Sequence, residues 1–570
     1  MTAAQSFLSN TKYGYDFVVA TTQASINATM KQFLAKVREP VVNICFVANE
    51  AGQPVQIAYA ALKDRAKGAD PFKVPADANP TTNTDLQNLQ LARFMAGFRA
   101  QLGIPKGYRR PTDIPDLVIL GSDTAAVTFN MLCVEFDIVE LVPGGGYNAP
   151  TWTSLSQKDG EAWIIQSKVD LRMSLVNSDQ YSQLPPDVRA KIQNLGGDTF
   201  SVRQLLFDFT NAGLAAQVPT IPGINPGTKL YQLLTQYFMG AYFTQLQKDG
   251  QPMLGAAITQ STAPPSTLTL TNLNMEVCPF VGTNGLPVAH PSTDQQRLAT
   301  LSYLCEANGH LLPPAVAFNW NWIDPSEAAD SHGVIATNKT PFVTFFKNEL
   351  LDYVEQNCFA PSVKVWYDSG EGKTYFQPNL ERGQAPTITA ADTGATVLSF
   401  SYSRYAADQA DLGGDMGRAE LKPEFNLDVK FAGTTITIEQ HLLIYLYLKG
   451  YWGVNKSGNI IDKKIADTYT LSVTSQGGLT ATLTTTSSDN SVRLATSGWE
   501  DFWGGGLQSV IDAVSEWARA FTSPSFKDIP INVVQDFVFP GGRTFAFKNV
   551  AFSDNQDLVS HITYADPAYF

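Results

Sequence analysis

Charge is scarce in this chain. Asp, Glu, Lys and Arg make up 16% of its 570 residues, against roughly 25% in an average globular protein. The polar surface must therefore lean on Thr, Ser, Asn and Gln, a composition that suits long strands better than charge-laced helices. The charge present is mostly negative, with 53 acidic residues against 40 basic ones and a net of −13. Nucleic-acid binding needs Lys and Arg to neutralise phosphates, so it is disfavoured. The same field works against general adsorption to an anionic bilayer, but leaves a neutral lipid or a local basic patch possible.

Cysteine is also sparse. Cys45, Cys133, Cys278, Cys305 and Cys358 are far apart and odd in number, with no CxxC pair. A zinc knuckle or dithiol redox site is therefore disfavoured, and isolated buried thiols are expected. No run approaches 18 apolar residues, so no membrane-spanning segment is expected. The opening MTAAQSFLSNTKYGYD has no basic stretch followed by an apolar one, so no signal peptide is apparent. These features predict a cytoplasmic protein; release by lysis or non-classical export would leave no such mark.

Catalytic signatures are missing too. His290, His310, His332, His441 and His561 form neither HExxH nor HxH. GEGKT at 370–374 ends like a phosphate loop, but the required glycine five residues before the GK pair is Tyr367. It reads as a hairpin turn. No GxSxG elbow occurs. DQADLGGDMG at 408–417 lacks the twelve-residue calcium pattern and reads as a solvated loop. Gly504, Gly505 and Gly506 could offer backbone N–H groups to an anion, but read as a flexible helix entry, with Trp499, Phe502 and Trp503 as core. No cofactor, metal or catalytic residue is expected.

What the chain has is apolar mass: 44% hydrophobic residues, including 33 Phe, 21 Tyr and 9 Trp. Single cores rarely grow past roughly 250–300 residues, so two or more domains are expected. Apolar positions recur three or four apart at Ile26, Met30, Phe33, Leu34 and Val37, predicting a helix capped by Thr22 or Ser25. Further helices are predicted at 84–102, 227–248, around RLATLSYLCEA at 297–307, at 341–359 and at 507–521. Strands are predicted at 17–20 and 41–48, and in one long run to Leu141. From Trp163 to Leu175 the pattern alternates, with Ile165, Val169 and Leu171 on the apolar face. Further strands are predicted from STLTLTNLNMEV and across most of 397–489, with a hairpin turn at Gly477 and Gly478. The βαβ rhythm is absent. The sequence predicts an α+β protein of long antiparallel sheets with a few amphipathic helices.

Three stretches together resemble the P47-like and OrfX-like family of the tubular lipid-binding superfamily. They are NTKYGYDFVVATTQASINATM near the start, DSHGVIATNKTPF at 330–342 and FVFPGGRTFAFKNVAFSDNQDLVSHITY at 537–564. Tyr15 stands where the family's opening usually has Trp. The resemblance implies elongated tubular lipid-binding-like modules, in which long curved antiparallel sheets wrap amphipathic helices; long strands in both halves place the division near 330, into 1–330 and 331–570. It implies no catalytic activity, and a lipid or other hydrophobic ligand held in an apolar groove. On this expectation the lining draws on Ile26, Met30, Phe33, Leu34, Trp163, Ile165, Val169 and Leu171. A second set is Leu234, Tyr237, Phe238 and Tyr242. The alternative is an accessory component of a multiprotein complex with a protein partner; an enzyme with a noncontiguous site is third.

Overall fold

The computed structural model describes residues 2–36, 41–121, 126–145, 147–175, 200–214, 221–222, 224–225, 227–242, 253–260, 270–307, 309, 311–391, 393–411, 415–451, 454–475, 477–497, 500–501, 506–516, 521–524, 537–538 and 545–564. Every strand pair among them is antiparallel.

A central sheet runs in the order Leu270–Cys278, Thr300–Ala307, Phe17–Thr22, Gly333–Thr337, Leu558–Thr563 and Ala546–Phe547, with Ala551–Phe552 also on Leu558–Thr563. Its middle strands are buried at every position, which is why they read as continuous apolar or small-residue runs. One face carries Tyr13, Tyr15, Phe318, Trp320 and Trp322, and the other joins the main core. The three stretches that carry the family resemblance meet here. Asn338 donates from Nδ2 to the Tyr15 carbonyl at 2.9 Å. Asp557 accepts from Ser6 Oγ at 2.8 Å and from the Leu8 amide at 2.6 Å. Gly333 lies so close to the Ala20 carbonyl that a Cβ would collide with it.

Two strands of this sheet each lead directly into a helix. Phe17 faces Thr337 and Thr21 faces Gly333, so the helices leave at opposite ends. The first, Gln23–Lys36, is capped by Thr22, whose Oγ1 accepts from the Ser25 amide at 3.2 Å. Its polar side chains grip the edge strand Val118–Leu120. Asn27 Oδ1 accepts from the Leu117 and Val118 amides at 2.6 and 2.9 Å, and its Nδ2 donates to the Val118 carbonyl at 2.7 Å. Gln23 accepts from the Leu120 amide at 2.7 Å. Lys31 reaches the Ile114 carbonyl and Asp116. These bonds satisfy backbone groups that an edge strand would otherwise leave bare. The second helix, Lys339–Gln356, buries Phe342, Phe346, Leu350 and Val354 in one stripe at four-residue spacing.

Beside the first helix stand two sheets. One comprises Pro54–Ile57, Val42–Ala48, Phe94–Leu102, Cys133–Val142 and Thr151–Ser156. The other comprises Phe537–Val538, Met253–Gln260, Phe200–Leu214, Ile165–Leu175, Ala126–Met131 and Val118–Leu120. Beside the second helix lies a sheet of very long strands, including Asp415–Ala432, Thr435–Gly450 and Asn455–Val473. The last has 19 residues, or ~60 Å of extended chain. Phe537–Val538 pairs with Met253–Gln260, so a late segment of the chain returns to a sheet built from its first half.

Several expectations change. The helix expected over 84–102 stops at Leu91, and Phe94–Leu102 is a strand; Arg93, at φ +59°, turns the chain between them. RLATLSYLCEA holds the strand Thr300–Ala307, buried on both faces, a case in which an apolar run has no period to distinguish it from a helix. The long run to Leu141 breaks at Leu132, with Ala126–Met131 in one sheet and Cys133–Val142 in the other. The first helix is not amphipathic in the expected sense. Ser25, Asn27, Thr29, Lys31 and Gln32 are buried as thoroughly as its apolar side. GEGKT does form the turn of a hairpin, with Gly372 at φ +70°, and Gly477 takes φ +78° at the other expected turn. Pro540, Gly541, Gly542, Trp499, Phe502, Trp503, Gly504 and Gly505 lie outside the described residues.

Candidate functional site: an apolar interior between two sheets

The strand Ile165–Leu175 alternates as its sequence demands. Ile165 pairs with Met131, Ser167 with Phe129 and Val169 with Val127, all of them buried. On the facing sheet, Ile44 pairs with Phe98, and Phe98 in turn with Ile138. Both inner faces belong to one continuous core, with Ile26, Met30 and Leu34 from the first helix in the same core.

A helix over 229–242 enters this core. Thr228 caps it, accepting from the Tyr231 amide at 3.1 Å. Leu233–Phe238 is wound as a π-helix, a rare form that occurs mostly as single-turn insertions in α-helices and frequently at functional sites. Phe238 lies between the ring of Phe98, at 4.9 Å, and the ring of Phe136, at 5.4 Å, and stacks on Tyr242 at 5.3 Å. Phe136 then reaches Trp163 at 5.8 Å. The aromatic chain thus crosses from one sheet to the start of the other.

The expected lining residues divide clearly. Ile26, Met30, Leu34, Trp163, Ile165, Val169, Leu234, Phe238 and Tyr242 are buried and share this core. Tyr237 is 42% exposed, with its ring 5.8 Å from buried Phe46, so it stands at the margin. Phe33 and Leu171 lie on the described helix and strand, but their side chains fall outside the described residues.

Polar atoms without partners lie inside this apolar space, as they do elsewhere in the molecule, at the indole N–H groups of Trp320 and Trp322 for example. The indole N–H of Trp163 and the hydroxyl of Ser167 are buried with no hydrogen-bond partner among the described residues. Ser167 faces inward beside Ile165 and Val169. Both amide atoms of Gln32, on the first helix, are in the same condition. A buried polar group left unpaired costs about 1–3 kcal/mol. Cys133 in the same core has its thiol pushed up to about 12 by burial, so it is no nucleophile. Sequence reading missed Ser167 and Gln32. Strict alternation from Trp163 would have flagged Ser167 as a hydroxyl on an otherwise apolar face; nothing in the sequence marks Gln32.

The strongly shifted acids and the shifted histidine lie elsewhere, in the central sheet and the chain flanking it. Burial pushes Glu276 up to about 7, with Lys12 opposing. Burial likewise raises Asp557 to about 6, against the amide of Leu8 and the hydroxyl of Ser6. His332 is lowered to about 4, mainly by burial, and its Nδ1 meets the Tyr564 amide at 3.1 Å. Among the described residues no group of three or more His, Cys, Asp or Glu could hold a metal ion, and no helix is long and apolar enough to cross a membrane.

No family model matches the chain, and no curated protein matches it. The solved structures that are similar over nearly the whole length include the following two. P47 from Clostridium botulinum A2 covers 96% of this chain and 97% of its own, at 9% identity and a TM-score of 0.39. Lipopolysaccharide binding protein covers 97% of this chain and 99% of its own, at 9% identity and a TM-score of 0.27.

Proposed function

We propose that this protein is a non-catalytic binder of a lipid or similar apolar molecule, held in the interior between the two sheets beside the first helix. The observation that carries the reading is the pair of unpartnered polar groups, Trp163 Nε1 and Ser167 Oγ. They sit in a core otherwise lined by Ile26, Met30, Ile165, Val169 and Phe238. An amphiphile supplies what such a space lacks, with hydrocarbon for the walls and an ester or hydroxyl oxygen for the two donors. Burying ~300 Å² of ligand hydrocarbon would contribute up to about 7 kcal/mol before ordering costs, enough for micromolar affinity. The reading extends to the tubular architecture, in which the sheets wrap the buried first helix, and to modules divided near 330.

The test is uptake of an NBD-labelled phosphatidylcholine by the full chain and by Trp163→Phe and Ser167→Ala. Each variant removes a polar group and keeps most of the packing. Uptake is expected in the wild type and weaker in both variants, while the lipid-free variants melt no lower than the wild type because an unpaired buried group is gone. No uptake by the wild type, or uptake unchanged in both variants, would sink the reading.

A further inference from the structure

A cavity of about 300 Å³ opens between the strand ends at Phe94–Met95 and Glu140–Val142 and the first turns of the helix over 229–242. Its floor is apolar, with Phe94, Met95, Leu141 and Leu233, and two cations stand on its wall, Arg93 and Lys229. Arg93 and Lys229 are both exposed at the cavity mouth, and among the described residues the Arg93 guanidinium forms no ion pair. The Nε2 of Gln90, also on the wall, is buried with no hydrogen-bond partner.

Arg93 is where it is against local preference. The helix Thr84–Leu91 ends at Ala92, and the next residue takes φ +59°, the left-handed position after a helix that glycine fills most readily. Its amide bonds back to the Gln90 carbonyl at 2.9 Å, and its carbonyl accepts from the Ala48 amide at 2.8 Å. The backbone conformation is thus fixed by the fold. An arginine held in a glycine conformation at the rim of a cavity is the kind of local strain that marks functional positions. Glu140 lines the same cavity, where burial raises its carboxyl and Lys229 opposes the rise. With Glu140 ionised, the three charges sum to one positive, on a chain of net charge −13.

We propose that this cavity binds a small single-chain amphiphile with one negative charge, a carboxylate head set against Arg93 and Lys229 and its alkyl tail on Phe94, Met95, Leu141 and Leu233. The volume is at the small end for ligand sites, which suits one short chain. The site stands apart from the interior lipid reading and would survive its failure.

The experiment is calorimetric titration of the full chain with decanoate, decanol and acetate, repeated on Arg93→Gly and Lys229→Gln. Decanoate should bind the wild type at least tenfold more tightly than decanol, and acetate weaker still. In Arg93→Gly that preference should disappear while the melting temperature holds or rises, since glycine suits the backbone there. Lys229→Gln should weaken decanoate several-fold. Equal affinity for decanoate and decanol, no decanoate binding, or unchanged decanoate affinity in Arg93→Gly would overturn the site. A protein that takes up decanoate but not phosphatidylcholine would keep this site and lose the interior one.

Discussion

The helix Gln23–Lys36 buries Ser25, Asn27, Thr29, Lys31 and Gln32 along with its apolar residues. The helix Lys339–Gln356 buries Phe342, Phe346, Leu350 and Val354 and leaves Lys347, Asn348, Glu349 and Asp352 exposed. Both grow from neighbouring strands of one sheet, so their different surroundings and not their starting geometry set their chemistry. A helix with one face in water needs only an apolar stripe. An enclosed helix must match each polar side chain to a specific partner, because unpaired groups are costly there. Asn27, Gln23 and Lys31 meet that demand on the backbone around residues 114–120. Gln32 does not meet it among the described residues, and it sits on the helix that lines the proposed ligand space.

The largest effect on this contrast should come from the second helix. Phe346→Ala empties a fully buried site whose ring lies 6.0 Å from that of Phe431, and should cost about 3–5 kcal/mol in urea denaturation. In the first helix, Asn27→Ala strands two amides and a carbonyl and should cost about 3 kcal/mol, although it removes little apolar area. If it costs under about 1 kcal/mol, the enclosed helix does not depend on its polar grip.

The sheet between the helices carries a pH signature. Glu276 has a folded pKa of about 7 against an ordinary 4.5, so the folded state binds more protons between those values. The contribution of Glu276 to stability should therefore fall as pH rises from 4.5 towards 7, while that of His332, lowered to about 4, rises over part of the same range. Glu276→Gln should match the wild type near pH 4 and exceed it above pH 7 by up to about 3 kcal/mol. Melting curves at pH 4, 6 and 8 give the difference, and a constant offset would remove the burial account of Glu276. The smallest effect belongs to the water-facing side of the second helix, where Lys347→Ala should stay within about 0.5 kcal/mol of the wild type.

The same contrast explains what could be read from the sequence. One-sided elements were legible: Lys339–Gln356 from its four-residue stripe, and the alternating long strands from their period of two. Thr300–Ala307 was not, because burial on both faces erases the alternation that marks a strand. The change at Arg93 was hidden because arginine gives no turn signal, and the φ comes from the fold. In the candidate site the apolar residues were visible one by one, and nine of them do share a core. Their meeting with Phe98 and Phe136 depends on strand pairings far apart in sequence. The unpartnered groups of this interior that sequence reading missed, Ser167 and Gln32, are polar, so a search for apolar periodicity passes over them.

The central claim is that the interior between the two sheets carries an apolar ligand, and native mass spectrometry of gently purified protein addresses it most directly. The account expects a reproducible mass excess above the 62.1 kDa chain, removed by organic solvent, recovered there as lipid, and reduced in Trp163→Phe at unchanged melting temperature. A bare chain mass in every gentle preparation, together with an extract free of lipid, would contradict it.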